Sequence, residues 1–307
     1  MEDLKSFDPE ISDEVFFLFS DLIHKTSGIK LPPVKKGLLI SRLLKRLKLL
    51  EIHGFSEYYQ RVKQDNEELV EMLNCISTNT TMFFREHYHF EFLKNPVIPS
   101  LIGRKKEKTI RIWSAGCSTG EEPYSIAMAV HEAMRRYACQ GEKGTGGDGR
   151  RLSAETQTGR TWPVSEGQWD LQILATDIST KVLSHAETAI YEYEQLPDDI
   201  PEDVIRRYFL KGVRANRGKI QAKDFIRETV QFRRLNLKDA AFPFNKKFDA
   251  IFCRNVMIYF DEDMKRHVLS AFHQHLSEGG YLFLGHSETM IGRETFRPVH
   301  ITVYQKI

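Results

Sequence analysis

The chain has 307 residues, a formal net charge of +2, 41 % apolar residues and 28 % charged residues. That length holds one large domain, or a large and a small one, around a substantial core, and the composition excludes a disordered chain. The near-neutral balance gives no global case for nucleic acid, so any partner selected by charge has to be selected by a local patch.

From residue 11 the pattern is helical. ISDEVFFLFSDLIHKTSG starts at a cap candidate, Ser12, and stops at Gly28. Pro32 and Pro33 open VKKGLLISRLLKRLKLL, where Leu and Ile recur at three- and four-residue spacing. FSEYYQRVKQ and NEELVEMLNCIS add two short amphipathic segments. Four helices without a strand pattern predict a small all-α domain over residues 1–78. Beyond residue 90 strands and helices alternate. TIRIWSAG precedes EEPYSIAMAVHEAMRRY, DLQILATD precedes STKVLSHAETAIYE, and FDAIFCRN precedes DEDMKRHVLSAFHQHL. GGYLFLGH and HITVYQKI follow as two further strands with no long helix between them, which predicts an antiparallel edge strand. The alternation predicts an α/β domain over 79–307, a mostly parallel sheet with helices on both faces. Two segments interrupt it. Residues 140–168 contain seven glycines and little apolar periodicity, the pattern of a flexible surface insertion. Residues 205–232, with YFLKGVRANRGKIQ and ETVQFRRL, read as short strands around a Gly-flanked turn, a small antiparallel β-subdomain.

The four cysteines, Cys75, Cys117, Cys139 and Cys253, form no CxxC pair. Neither a zinc site nor a redox pair is suggested, and free thiols fit a reducing cytoplasm. MEDLKSFDPEIS lacks the basic-then-apolar pattern of a signal peptide, and no apolar run is long enough to cross a bilayer. The expectation is a cytoplasmic monomer that visits a membrane only as a soluble partner.

The segment Ser114-Ala115-Gly116-Cys117-Ser118-Thr119-Gly120-Glu121-Glu122-Pro123 lies between the first strand and its helix. Small residues there let a ligand approach the backbone, and Pro123 suits a first helical turn. The glycines form no GxGxxG, and no P-loop lysine follows. Two glutamates occupy the helix N-terminus where a pyrophosphate would dock. That favours a cationic, phosphate-free ligand, and S-adenosylmethionine carries an ammonium, a sulfonium and no phosphate. Taken alone, the segment serves equally as a helix start whose acids favour the dipole. The second strand ends at Asp177, placed either to bind ribose hydroxyls or to cap the next helix.

Longer matches make the resemblance specific. Asn79-Thr80-Thr81-Met82-Phe83-Phe84-Arg85-Glu86, the run from Trp113 to Ser125, Cys253-Arg254-Asn255-Val256-Met257-Ile258-Tyr259-Phe260 and Gly285-His286-Ser287-Glu288 occur in that order. Together they resemble the motifs of the chemotaxis-receptor glutamate methyltransferases, the CheR family, from residue 11 to 305. The resemblance implies a Rossmann-like class I methyltransferase domain that uses S-adenosylmethionine to esterify receptor glutamates. It implies that Asn79, Thr81 and Arg85 contact the cofactor from the interdomain linker. Gly116 would belong to the cofactor loop, and Glu122 would take the methionyl ammonium. Asp177 would take the ribose, Asn236 and Leu237 the adenine, and Arg254 and Asn255 would close the pocket near the sulfonium. Arg85 suits the methionyl carboxylate, because its planar fork binds two oxygens. Arg85 and Tyr259 are the candidates for catalytic positioning, Tyr259 by aligning the substrate. Phe83, Phe84 and Met257 read as packing residues. Cys117 has no matched His and acid to make it a nucleophile.

A glutamate is already ionised near neutral pH, so the chemistry asks for collinear positioning and exclusion of water, with no dedicated base. Residues 30–50 carry Lys30, Lys35, Lys36, Arg42, Lys45, Arg46 and Lys48 and a single acid-free stretch that could dock on an acidic helical surface of a receptor. The turn Gly212-Val213-Arg214-Ala215-Asn216-Arg217-Gly218 is less glycine-rich than the peptide-binding β-subdomains of the family. His87, His89, His273 and His275 have no accompanying carboxylate or thiol cluster, which argues against a metal site. Two other classes stay open: a small-molecule methyltransferase with the helical domain as lid, and a cofactor-binding regulator without turnover.

Overall fold

A computed structural model describes residues 10–141, 161–164, 167–292 and 294–307. The first four helices are α1 (Asp13–Ser27), α2 (Lys36–Leu49), α3 (Phe55–Gln64) and α4 (Asn66–Ile76). Their starts and stops follow local chemistry. Ser12 accepts from the Val15 amide at 3.2 Å, and α1 ends on left-handed Gly28. Asp65 accepts from the Glu67 and Glu68 amides at 3.0 and 3.1 Å. The apolar faces close on one another: Phe16, Phe19, Ile23, Leu39, Leu43, Leu47, Tyr58 and Met72 share one core. Each such Leu or Phe removed from water contributes about 1.5–3 kcal/mol, which is what holds four short helices together.

Beyond the linker come α5 (Tyr88–Phe92), a π turn, α6 (Ile98–Arg104), β1 (Thr109–Ala115) and α7 (Glu121–Gly141). They are followed by β2 (Thr161–Val164), β3 (Gly167–Asp177), α8 (Thr180–Thr188), β4 (Ile190–Glu192), α9 (Glu202–Tyr208), β5 (Phe209–Lys211), β6 (Lys219–Ala222), α10 (Asp224–Arg227) and β7 (Val230–Arg234). The chain then runs through β8 (Phe248–Cys253), α11 (Glu262–His275), β9 (Leu276–Leu284), β10 (Phe296–His300) and β11 (Val303–Lys306). Strands β7, β3, β1, β8 and β9 are parallel neighbours in that spatial order. The order reverses between β1 and β8, so their carboxyl ends open a crevice there. One face of the sheet packs on α7 through Ile126, Ala127 and Val130, the other on α11 through Met264, Val268 and Phe272. The fold is therefore the expected α/β architecture with an all-α domain before it. Among the described residues no helix is long and apolar enough to cross a membrane.

Four details differ from the sequence reading. The strand in ETVQFRRL is not part of the small lobe: Val230–Arg234 pairs in parallel with β3 in the main sheet. The small antiparallel sheet is β4-β6-β5, which recruits Ile190–Glu192 from outside residues 205–232. Val230 and Phe232 point into the core while Gln231 and Arg233 are exposed, an alternation that fits either sheet. In the 140–168 insertion, α7 continues to Gly141 and Thr161–Val164 forms a hairpin with β3, so this part is regular structure; residues 142–160 lie outside the described residues. The antiparallel closure of the sheet holds an extra strand, since β11 pairs with β9 and β10 is the edge.

Candidate active site

At the β1–β8 reversal lies an open crevice whose empty space, the part open to solvent included, is about 950 Å³. Asn79, Thr81, Arg85, Gly116, Glu122, Asp177, Asn236, Leu237, Arg254, Asn255 and Tyr259 all line it. Residues scattered across the chain are thus brought together, and Ser27 and Ile29 of the helical domain close one side.

The floor is the loop after β1. The Gly116 and Cys117 amides donate to the Thr176 carbonyl at 2.7 and 2.9 Å, tying the loop to the end of β3. Gly116 has φ 86°, and a Cβ there would lie 2.4 Å from the Val256 side chain. Only glycine fits, so bare backbone faces the cavity. Cys117 is buried, and burial pushes its thiol well above the usual range, which removes it as a nucleophile. Asp177 does two things at once. Its carboxylate accepts from the Ser118 and Ser179 amides, both at 2.9 Å, and it borders the cavity. Burial raises its carboxyl above the ordinary value, although these amides oppose the shift.

The roof is the linker. The Ser118 hydroxyl donates to the Asn79 carbonyl at 2.9 Å, and Arg85 Nη1 donates to the Thr80 carbonyl at 3.0 Å. Phe83 is fully buried against Tyr191 and Phe209, the packing role expected of it. At the back, Glu122 accepts from the Ser114 hydroxyl at 2.7 Å and faces Arg254 Nη1 at 3.3 Å. Burial pushes the Glu122 carboxyl up, while Arg254 and Ser114 pull it down. Tyr259 sits on a short 3-10 turn with Lys35 Nζ 5.3 Å from its ring centre, and its carbonyl accepts from the Lys30 amide at 2.8 Å.

Asn236 is the residue whose expected role the structure narrows. Its side-chain amide donates to the Thr26 carbonyl at 2.6 Å and its oxygen accepts from the Lys238 amide at 3.1 Å. The side chain ties the sheet to the end of α1, so Leu237 and the local backbone are what it presents to a ligand. Lys238 Nζ joins this clasp at the His24 carbonyl, 3.1 Å, and the Lys25 carbonyl. His24 Nε2 lies 2.7 Å from Asp261, the cap of α11.

Family models match the two parts separately: the all-α domain of CheR methyltransferases over residues 14–77, and their S-adenosylmethionine-binding domain over 79–145 and 160–305. The chain belongs to the CheR methyltransferase family. Similar relatives include a chemotaxis protein methyltransferase of Borreliella burgdorferi, 37 % identical over 93 % of this chain and 91 % of that protein. Chemotaxis protein methyltransferase 1 of Pseudomonas aeruginosa is 37 % identical over 90 % of each chain. The chemotaxis protein methyltransferase of Escherichia coli is 34 % identical over 91 % of this chain and 85 % of its own. This CheR chain is therefore an S-adenosylmethionine-dependent methyltransferase, and the cavity suits that cofactor. Its walls carry the carboxylates of Glu122 and Asp177 and the guanidiniums of Arg85 and Arg254, Gly116 leaves the backbone bare, and Arg254 Nε is buried without a hydrogen-bond partner among the described residues.

Two acids matter more than the sequence reading allowed, although both lay inside quoted motifs. Glu288, 6 % exposed, accepts from the amides of Asn255, Val256, Met257 and Gly285 at 3.0, 2.9, 2.7 and 2.6 Å. It shapes the turn that carries Asn255 in a left-handed conformation, φ 59°. Glu86 pairs with Arg254 at 3.4 Å.

Proposed function

We propose that this CheR chain methylates glutamate side chains of chemoreceptor proteins, releasing glutamyl methyl esters and S-adenosylhomocysteine. The observation that carries the reading is the convergence, in one crevice, of the linker's Arg85 with Glu122 and Asp177 at the strand ends. Arg85 binds the methionyl carboxylate through its planar fork, and Glu122 takes the ammonium. Asp177 holds the ribose, and Leu237 with the backbone at Asn236 flanks the adenine. Asn79 and Thr81 close the roof, and Arg254 and Asn255 form the wall by the sulfur. When bound, S-adenosylmethionine supplies an electrophilic methyl group. The substrate carboxylate is ionised near neutral pH, so the protein's task is alignment and exclusion of water. Tyr259, at the rim beside Lys35, orients the incoming glutamate.

The basic stretch contributes less docking surface than its composition suggested. Arg46 is drawn into an ion pair with buried Glu68, Arg42 holds the Ile76 carbonyl and the Thr78 hydroxyl, and Lys36 pairs with Asp13. Lys30, Lys45 and Lys48 are exposed and form the surface offered to an acidic receptor helix. The protein acts in the cytoplasm as a monomer recruited to membrane-bound receptor arrays.

The test is incubation with methyl-labelled S-adenosylmethionine and receptor cytoplasmic fragments. Base-labile label on receptor glutamates is expected. Label confined to small molecules, or none with cofactor still bound, overturns the reading.

A further inference from the structure

Arg254 is held by two carboxylates, and they do not hold it alike. Its side chain is 2 % exposed, with Nη1 3.3 Å from Glu122 and Nη2 3.4 Å from Glu86. Nη2 also donates to the Arg85 carbonyl, and the guanidinium carbon lies 5.4 Å from the centre of the Phe90 ring. Glu122 faces the cavity and is divided between Ser114 and Arg254. Glu86 does not line the cavity and is committed. Its Oε1 accepts from the His286 amide at 3.1 Å and the Asn255 side chain at 3.4 Å. Its Oε2 faces Arg254, the Tyr88 hydroxyl at 3.4 Å and His89 Nδ1 at 3.5 Å.

Their titration agrees with this division. Burial opposes ionisation of both carboxyls. For Glu86 the Arg254 charge and the donors outweigh burial and hold it below its ordinary value; for Glu122 burial wins. Burial drives His89 down to about 3, so it faces Glu86 as a neutral ring. Glu86 keeps its place at the expense of backbone strain: φ is 56° there and 52° at Phe84, the left-handed region. These two turns send Arg85 to the cavity and Glu86 behind it.

We propose that Glu86 is the positioning residue that compensates the charge of Arg254, so that a sulfonium can bind beside a guanidinium while Glu122 turns to the ligand's ammonium. The inference rests on the cofactor reading above. An arginine side chain is a standing positive charge. Two unit charges about 6 Å apart at an effective dielectric constant of about 20 repel enough to weaken binding more than tenfold. The penalty falls on S-adenosylmethionine, whose sulfur is cationic, and spares S-adenosylhomocysteine, whose sulfur is neutral.

The experiment titrates both ligands calorimetrically into the full-length wild type and the Glu86→Gln variant, which keeps an acceptor for His286 but no charge. The ratio of the two dissociation constants, methionine form over homocysteine form, is expected to rise at least tenfold. In an Arg254→Met background the same substitution should leave the ratio unmoved. Equal weakening of both ligands identifies a merely structural residue and overturns the proposal, as does an unchanged ratio. Glu86→Asp, which retains the charge, should keep the wild-type ratio even if both affinities drop; a shifted ratio there overturns the proposal as well, and covers the case in which Glu86→Gln does not fold. A wild type that binds neither ligand overturns the cofactor reading itself, a distinguishable failure.

Discussion

Arg46, partly exposed, and Arg254, buried, both pair with glutamates, and the contrast between them separates scaffold from site. In the helical domain Arg46 meets Glu68 through two bonds, Nε at 2.9 Å and Nη2 at 2.6 Å, and the Tyr58 hydroxyl donates to the same carboxylate at 2.7 Å. Burial disfavours the Glu68 charge, but these donors hold its carboxyl below the ordinary value. The pair is saturated. Arg254 instead reaches two different glutamates through single contacts of 3.3 and 3.4 Å and leaves its Nε unpartnered. A saturated pair fixes a fold; a loosely divided one retains donors and charge that a ligand can engage.

The largest effect should come from breaking the saturated pair. Glu68→Gln leaves Arg46 without its charge partner and should cost about 3 kcal/mol of stability in urea unfolding, with homocysteine-form affinity unchanged in the folded protein. Glu122→Gln should do the reverse, leaving stability level or slightly higher and weakening cofactor binding about tenfold or more. If both substitutions destabilise alike, the contrast fails. Arg85→Ala should weaken cofactor binding by about 2 kcal/mol, roughly thirtyfold, since it removes a charge-assisted donor pair while, among the described residues, Arg85 has no carboxylate to leave stranded. Gly116→Ala should cost about 2 kcal/mol of stability and also reduce cofactor affinity, because its Cβ collides with Val256 at 2.4 Å. Lys238→Ala, which frees the end of α1 from the sheet, should cost about 1 kcal/mol and show as a lower melting temperature.

The same contrast has a pH signature. Glu68 is ionised more readily in the fold than in the unfolded chain, so its stabilisation is complete above the ordinary glutamate value and disappears as pH falls through the depressed one. Glu122 is shifted the other way: lowering the pH through its raised value relieves the fold but removes the charge that holds an ammonium. Cofactor affinity should therefore fall at a higher pH than the one at which the helical domain loses stability, as read by calorimetry and circular dichroism on the same samples. Coincident transitions would contradict the opposed shifts.

How much of this could be read in the chain depends on the distance over which each choice is made. The helix start at Ser12, the Gly28 stop, the strand–glycine loop–helix around Gly116 and the acid ending β3 are set by neighbours a few residues apart, so spacing alone exposed them. The same short segment, with two glutamates where a phosphate site would leave bare amides, favoured a cationic, phosphate-free ligand but served equally as a helix start; the cofactor itself was implied by the resemblance of the longer motifs. Partner choice is different. That Val230–Arg234 joins β3 rather than the small lobe, that Ile190–Glu192 completes that lobe, and that Arg46 turns inward to Glu68 depend on which surfaces meet after collapse. Asn236 fastening Thr26 and Glu86 backing Arg254 join residues separated by most of the chain, and no local periodicity encodes such a pairing. The sequence by itself determined the main helices and the parallel strands, the glycine turn and the charges available at the crevice. Only the tertiary structure decided which charge faces which, because ion pairs and hydrogen bonds act over a few ångströms and are assigned by packing rather than by order along the chain.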